Sequence, residues 1–231
     1  MDRKVMAIVT RAVPYRDADL ILTLVSPEAG RLTASAKGCL KPRAKLRYAA
    51  SIMNFGEYML SGRGERYVVT DCVQYDSFSV LTEDLGKYYA TCLVLELLTK
   101  LSPEPQPELF LHAAECLRDM AYGGASAPDA VTDFLKHALA DNGACPDFGV
   151  CASCGCLLDR DAVYTDGEGM VCPHCAPADG MRLDAATRAY IAGEERDIPA
   201  EHKTRAIMTL SDIVFRALGV RPDGGYFKEI K

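Results

Sequence analysis

Several signals that would assign a membrane or secreted role are missing from this sequence. No apolar run approaches the ~20 residues of a membrane span, because charged or polar residues interrupt the longest candidates. The N-terminus leads directly into a strand-like segment and shows no signal-peptide core. We therefore expect a cytoplasmic protein with no membrane partner, in a reducing compartment where structural disulfides are rare.

The motifs of common enzyme classes are missing as well. There is no Gly-x-x-x-x-Gly-Lys-Ser/Thr phosphate loop and no His-Glu-x-x-His metal motif, and Gly62-Arg-Gly64 lacks the third glycine of a dinucleotide fingerprint. The histidine and glutamate pairing of zinc deaminases is also missing. The histidines are isolated, and isolated histidines are more often surface or core residues than catalysts. The sequence predicts a protein that is not an enzyme.

The chain has the composition of an ordinary globular protein, and its charged residues are unevenly distributed along the sequence. Its 231 residues are 49% hydrophobic and 25% charged, which is typical of a folded chain with a real core. Residues 1–81 hold twelve Lys and Arg against eight Asp and Glu, whereas the remaining residues hold fourteen against twenty-four. This segregation of charge predicts different partners for the two parts of the chain.

The first eighty residues are typical of β structure. Turn-forming residues separate short segments rich in Val, Ile, Thr, Tyr and Leu, and no long helix lies between them. Five short strands at this spacing favour a small barrel. The predicted strands are Val5–Val13, Leu20–Val25, Arg31–Ala36, Ser51–Leu60 and Arg66–Gln74.

From about Thr82 the apolar residues recur at helical spacing, and Glu83 and Asp84 suit the first turn of a helix. Further helices are predicted at about 108–122, 128–142, 183–192 and 201–218. The fold class is therefore α+β. We predict a β domain over residues 1–81 and a helical domain over 82–231, with a cysteine hairpin inserted at about 148–178.

Two Cys-x-x-Cys pairs form the most specific motif of the chain. Their spacing is that of a zinc site, in which each short turn presents two thiolates to one ion. Asp166-Gly167 predicts a hairpin between strands Ala162–Thr165 and Gly169–Val171, which would bring the pairs together. Because four thiolates fill the coordination shell, the predicted Zn2+ is structural. The predicted ligands are Cys151, Cys154, Cys172 and Cys175.

Three other interpretations of these cysteines remain open at this point. They are disulfide bonds, a thioredoxin-like redox pair and chance spacing. Cys156 and His174 are rival donors inside the cluster, and we leave Cys156 out because it lies too close to Cys154 for the usual turn.

Residues 31–47 contain six cations and no acid. Gly38 and Pro42 disfavour a helix, so residues 37–47 are predicted to form a long loop. A cationic loop beside a small barrel suits contact with a phosphate backbone, although a charged loop that is merely solvated is the competing interpretation. The candidate nucleic-acid-binding residues are Arg31, Lys37, Lys41, Arg43, Lys45 and Arg47.

Other side chains near this stretch have simpler interpretations. Asp17 and Asp19 lie between two strands and are interpreted as turn formers. Barrels of this kind can stack bases on aromatic rings, but each aromatic residue here is more typical of core or edge packing. The aromatic candidates are Tyr15, Tyr48, Phe55, Tyr58 and Tyr67.

The N-terminal sequence resembles a known family. Tyr15-Arg-Asp-Ala-Asp-Leu-Ile-Leu-Thr-Leu24, then Glu28-Ala-Gly30 and Ala36-Lys-Gly38, with the cations that follow, is similar to the bacterial DNA repair family RecO. The order of β domain, helices and four-cysteine insertion is similar too. The segment from Arg221 to Phe227 departs from the basic ending of that family.

This resemblance implies an OB-fold barrel, a helical zinc domain and a non-enzymatic recombination mediator of the bacterial nucleoid. Such a protein binds single- and double-stranded DNA, anneals complementary strands and acts with RecR. It promotes loading of RecA onto DNA coated by single-strand-binding protein, whose C-terminal tail it binds. Carried over residue by residue, Lys37, Arg43 and Lys45 are the foremost DNA contacts. The main alternative is a zinc-stapled protein-interaction scaffold without direct DNA binding, and a further one is a hydrolase that uses the metal.

Overall fold

The computed structural model describes residues 2–63, 66–222, 225–226 and 229–230. The chain forms two compact units. The first consists of Met1–Asp84 with Val94–Ala121, and the second of Leu85–Leu93 with Tyr122–Lys231. The segment from Arg221 to Phe227, which departs from the family's basic ending, lies partly outside the described residues. In the described part of the chain, no helix is long and apolar enough to cross a membrane.

The first unit contains a closed barrel in which the strand order is β1-β2-β3-β5-β4. The first half of β1 pairs with β4 and its second half with β2, so β1 closes the barrel. This is an OB-type arrangement, and the predicted N-terminal OB-fold barrel is confirmed. The strands are β1 Asp2–Tyr15, β2 Asp19–Ser26, β3 Gly30–Ala36, β4 Phe55–Arg63 and β5 Arg66–Asp76.

The barrel core follows from alternation along the strands. Successive side chains of a strand point to opposite faces, so alternate residues in the middle of β2 and β3 face the interior, although Ala7, Ile8 and Val9 of β1 are all buried. Leu22, Leu24 and Ala34 are buried in this way, whereas the residues between them are more exposed. Tyr58 is also fully buried, and its hydroxyl donates to the Ala49 carbonyl at 2.9 Å, so its polar atom is satisfied.

Helical residues complete the first unit. Helix α1, Leu85–Leu101, ends in this unit, and α2, Pro107–Arg118, lies wholly in it. The Thr99 hydroxyl donates to the Thr10 hydroxyl at 2.7 Å, which joins α1 to β1. Gly30 has room for no side chain, because a Cβ there would lie 2.6 Å from the carbonyl carbon of Glu104.

The second unit combines the start of α1 and the helices α3, α4 and α5 with a small sheet of order β7-β6-β8. The fully buried Tyr190 donates to Asp129 at 2.6 Å, and Lys203 forms an ion pair with the same carboxylate at 3.1 Å. These contacts join the three helices. The elements are α3 Ala127–Asp141, β6 Ala162–Thr165, β7 Gly169–Val171, β8 Met181–Leu183, α4 Ala185–Ala192 and α5 Ala200–Leu218.

Several predicted boundaries were wrong. The strand expected from Ser51 begins only at Phe55, because Met53 has a φ of +73° that no strand accommodates. Glu83 and Asp84 precede α1 rather than lying in its first turn. The helix expected to reach Tyr122 is α-helical only as far as Arg118, and a π-helical turn, Asp119–Gly123, follows it. Strand β8 was missed, because three residues are too short to show a period.

Candidate metal centre and candidate nucleic-acid interface

The four cysteines of the two Cys-x-x-Cys pairs converge in the second unit. The Sγ atoms of Cys151, Cys154, Cys172 and Cys175 all lie within 4.8 Å of one another. Strands β6 and β7 form the predicted hairpin, which carries the second pair close to the first. Among the described residues, neither Cys156 nor His174 belongs to this group.

Backbone hydrogen bonds shape the turns that hold these thiols. In the first turn the Gly155 N–H donates to the Cys151 carbonyl at 2.9 Å, and Gly155 has the positive φ of +74° that favours glycine. In the second turn the Cys175 N–H donates to the Cys172 carbonyl at 3.0 Å. The Ala152 N–H donates to the Met170 carbonyl at 2.8 Å, which attaches the first turn to β7.

The same turns direct N–H groups at two of the sulfurs. The backbone N–H groups of Cys154 and Cys172 lower the pKa of the Cys151 thiol to about 6, and the Cys172 N–H lies 3.3 Å from that sulfur. The backbone N–H of Cys175 likewise lowers the pKa of Cys172. Because the thiolate is the metal ligand, these donors favour the binding form of the two cysteines.

Cys156 and Cys175 show the opposite effect on the thiol pKa. A hydrogen bond to the Cys154 thiol raises the pKa of Cys156 to about 12. The Ser153 side chain lowers the pKa of Cys175, but the thiols of Cys172 and Cys154 outweigh it and raise that pKa to about 12. Four neighbouring thiols therefore do not all ionise by themselves, whereas a bound cation would favour the thiolate form of every ligand.

Disulfide bonding does not describe this cluster. The Sγ atoms of Cys154 and Cys172 are 3.8 Å apart, whereas a disulfide requires about 2.05 Å. The Cys151, Cys154, Cys172 and Cys175 side chains are all unoxidised thiols. The arrangement is that of a four-thiol group able to hold one metal ion.

The cationic loop, residues 37–47, is a succession of tight turns. The N–H groups of Lys41, Ala44 and Arg47 each donate to the carbonyl three residues earlier, at 3.2, 3.0 and 3.4 Å. The prediction of a loop rather than a helix is confirmed. Within the described residues, none of the five loop cations forms an ion pair, and all five are exposed: Lys37, Lys41, Arg43, Lys45 and Arg47.

Two hydrogen bonds fasten the start of the cationic loop to the turn between β1 and β2. The Gly38 N–H donates to the Asp19 carboxylate at 2.6 Å, and the Leu40 N–H donates to the Ala18 carbonyl at 3.0 Å. Gly38 has a φ of +64°, which suits glycine. Sequence reasoning missed this role of Asp19, because its partner is 19 residues away; the surplus of Asp in one short turn was the only signal.

Arg31 does not join the loop cations. It lies near the start of β3, whereas Lys37 directly follows the end of that strand. Six residues at about 3.3 Å each place the two cations roughly 20 Å apart along β3. Both occupy the outward-facing positions of the strand, so they mark opposite ends of one face.

The barrel aromatics divide into packed and exposed rings. Tyr58 is buried in the core and Tyr67 packs against it, and Phe55 packs against Phe110 with 6.1 Å between ring centroids. The Tyr48 hydroxyl donates to the Cys72 carbonyl at 2.6 Å. Tyr15 stands apart, because it is 47% exposed at the end of β1.

Two family models match the chain. One, described as Recombination protein O N terminal, matches residues 1–78, which include the barrel and the cationic loop. The other, described as Recombination protein O C terminal, matches residues 82–200, which include all four clustered cysteines. Both candidate sites therefore lie inside matched regions.

Proposed function

Because this chain belongs to the Recombination protein O family, which acts in DNA repair and recombination, we propose that it binds DNA through its cationic loop. One observation carries the proposal. Five exposed cations project from one end of an OB-type barrel, and none has an ion-pair partner among the described residues. Cations left unpaired by their own chain are available to phosphate groups.

The loop suits contact with the phosphate backbone rather than with particular bases. Its charges lie on long, exposed side chains, and such contacts carry no sequence information. Neutralising about four to six phosphates predicts a log–log salt slope of about −3 to −4 on single strands, at roughly −0.7 per contact. The same neutralisation would reduce the repulsion between two complementary strands, which supports an annealing activity on single-stranded DNA and binding to duplexes.

We assign the chain the role of a mediator rather than a catalyst. On this proposal it acts with RecR to promote RecA loading onto DNA coated by single-strand-binding protein, whose C-terminal tail it binds. Family membership supports these partners. The surplus of acidic residues after position 81 supports a protein-binding rather than a DNA-binding role for that part of the chain.

We propose Zn2+ as the ion of the cysteine group. The four sulfurs lie within 4.8 Å of one another. Four thiolates are a usual ligand set of a structural zinc site, and they leave no position for water or substrate. Cys151, Cys154, Cys172 and Cys175 would hold the ion. It would stabilise the hairpin and take no part in a reaction.

A fluorescent single-stranded oligonucleotide titrated at several salt concentrations tests DNA binding. Replacing Lys37, Arg43 and Lys45 together by Ala should weaken binding and flatten the salt slope by about 2, because about 0.7 is lost per contact. The matched control removes the same amount of positive charge elsewhere, by replacing three exposed arginines with Ala: Arg118, Arg160 and Arg182. We expect the control to keep the wild-type slope.

Two outcomes would contradict the proposal. If both triple variants change the slope equally, net charge rather than the loop governs binding. If the wild-type protein shows no salt-sensitive binding, the chain is better described as a zinc-stapled protein-interaction scaffold.

A further inference from the structure

Tyr15 is an aromatic side chain with no structural task of its own. Its ring is 47% exposed, and no described residue forms a hydrogen bond with its hydroxyl. A ring left half in water at the end of a strand keeps an apolar face available to another flat group. The other barrel aromatics considered above pack against the core, against other rings or through a hydrogen bond.

The position of Tyr15 places it beside the cationic loop. Tyr15 ends β1 and pairs with Asp19 at the start of β2. Lys37 lies one register step beyond the Leu20–Ala36 pair of β2 and β3. Tyr15, Asp19 and Lys37 thus form one row across the three strands, and Asp19 hydrogen-bonds to the backbone of Gly38.

The rows below this one continue on the outward face of the same strands. Strand pairing sets Val13 beside Ile21 and Ser35, and then Arg11 beside Thr23 and Thr33. Arg31 follows at the far end of β3. The face is uncharged at its centre and carries cations at its end and edge, and the one carboxylate of the end row, Asp19, accepts a hydrogen bond from the Gly38 N–H. This pattern suits a strand of nucleic acid with apolar bases and charged phosphates.

Tyr15 also has a cation on its ring. The Arg16 guanidinium lies 5.2 Å from the ring centroid, a distance at which the ring attracts the charge. Arg16 can cover only one face of the ring at a time, which leaves the other for a flat, neutral partner. Nucleobases stack on such rings whatever their identity, because every base has a π-face.

We propose that Tyr15 stacks on an unpaired base and thereby makes the barrel prefer single-stranded over duplex DNA. This inference rests on the proposed DNA binding by the cationic loop. The loop contacts are the same for both forms of DNA, whereas only an unpaired base can leave its neighbours to cover a ring. Affinity from the loop should depend on salt, and affinity from Tyr15 should not.

The chain contains no tryptophan, so Tyr15→Trp introduces a single reporter at the proposed stacking position. Stacking should quench its emission when a single-stranded oligonucleotide binds, and a duplex should quench it much less. The control is Tyr75→Trp in the same unit, since Tyr75 is 53% exposed on β5 and lies outside the row. Its emission should change little with either DNA.

Two further variants separate stacking from the loop contacts. Tyr15→Ala should weaken single-strand binding about 5- to 150-fold, the range measured for loss of one stacked base, with an unchanged salt slope. Tyr15→Phe should bind like the wild type, because the ring is kept and the hydroxyl has no partner.

The possible failures are distinguishable. Normal binding by Tyr15→Ala, or an unquenched Trp in Tyr15→Trp that still binds, would overturn the stacking role alone. Equal quenching by duplex and single strand would overturn the preference for unpaired bases. Failure of the wild type to bind DNA would instead overturn the proposed function on which the inference rests.

Discussion

The cationic loop and the cysteine hairpin direct their ionisable side chains in opposite ways. Each gathers ionisable groups of one kind in a short irregular segment attached to β strands. In the hairpin, backbone N–H groups point inward at sulfurs that lie within 4.8 Å of one another. In the loop, the side chains point outward into solvent. An inward cluster of thiols suits a bound cation, whereas an outward cluster of cations suits an anionic ligand from solution.

The two segments also differ in how they are attached. The Arg188 side chain, 4% exposed, donates to the Phe148 carbonyl at 2.9 Å and pairs with Glu194 at 2.6 Å, which ties the start of the hairpin region to α4. The loop depends on Asp19 and Ala18 at its base. We therefore expect changes in the hairpin to affect folding, and changes in the loop to affect binding.

Metal removal should have the largest effect. A strong chelator, or Cys172→Ser, should make the region around 148–178 sensitive to protease, because apparent binding free energies of about 10–16 kcal/mol are typical of structural zinc. Limited proteolysis with metal analysis measures this. Cys156→Ser is the matched control and should retain one metal ion per chain. Identical digestion patterns with and without chelator would remove the structural role of the site.

Glu194→Gln should have an intermediate effect. It leaves the buried Arg188 guanidinium without its anionic partner, and we expect a loss of about 2 kcal/mol in the free energy of unfolding by urea. Arg188→Met should cost less, since the Glu194 side chain is 50% exposed and water can solvate it. If Arg188→Met lowers the free energy of unfolding more than Glu194→Gln does, packing of the arginine side chain rather than its charge stabilises this contact.

The same pair makes a prediction about pH. Hydrogen bonds from Arg188 lower the pKa of Glu194 in the folded state. Its contribution to stability is therefore present above the unfolded glutamate pKa of about 4.3, and is lost as the pH falls through the folded value. Glu194→Gln should remove this part of the acid dependence of unfolding, and an unchanged acid profile would contradict the assignment.

Asp19→Ala should have a smaller effect on stability than metal removal or Glu194→Gln. It removes the acceptor of the Gly38 N–H, so we expect a loss of about 1 kcal/mol and faster amide exchange at Gly38 and Leu40. Asp17→Ala removes the same charge from an exposed side chain and should leave exchange at these amides unchanged. Equal exchange in both variants would show that the loop holds its turns without Asp19.

Local patterns in the sequence predicted much of this protein. Segments rich in Val, Ile, Thr, Tyr and Leu between turn-forming residues predicted the five strands to within a few positions, apart from the start of β4. Asp166-Gly167 predicted the hairpin with the observed bounds of β6 and β7. The two Cys-x-x-Cys pairs predicted a four-thiol group, because two residues between cysteines allow only a tight turn. Each of these signals lies within a few residues of the structure that it predicts.

Contacts between distant residues could not be predicted in this way. The Asp19–Gly38 and Arg188–Phe148 hydrogen bonds join residues 19 and 40 positions apart, and nothing local distinguishes either acid or arginine from an ordinary exposed one. Likewise, the sequence did not distinguish among the five barrel aromatics as candidates for base stacking. Only burial separated Tyr15 from Tyr58.

The sequence by itself determined which segments became strands, turns and helices and which side chains could bind a metal or a phosphate, because backbone preference and side-chain chemistry are local properties. Tertiary structure alone decided that Arg31 lies about 20 Å from Lys37, that Asp19 holds the start of the loop and that Tyr15 is half-exposed. The physical reason is that burial and distance depend on how strands are aligned in the barrel, which no single stretch of the chain specifies.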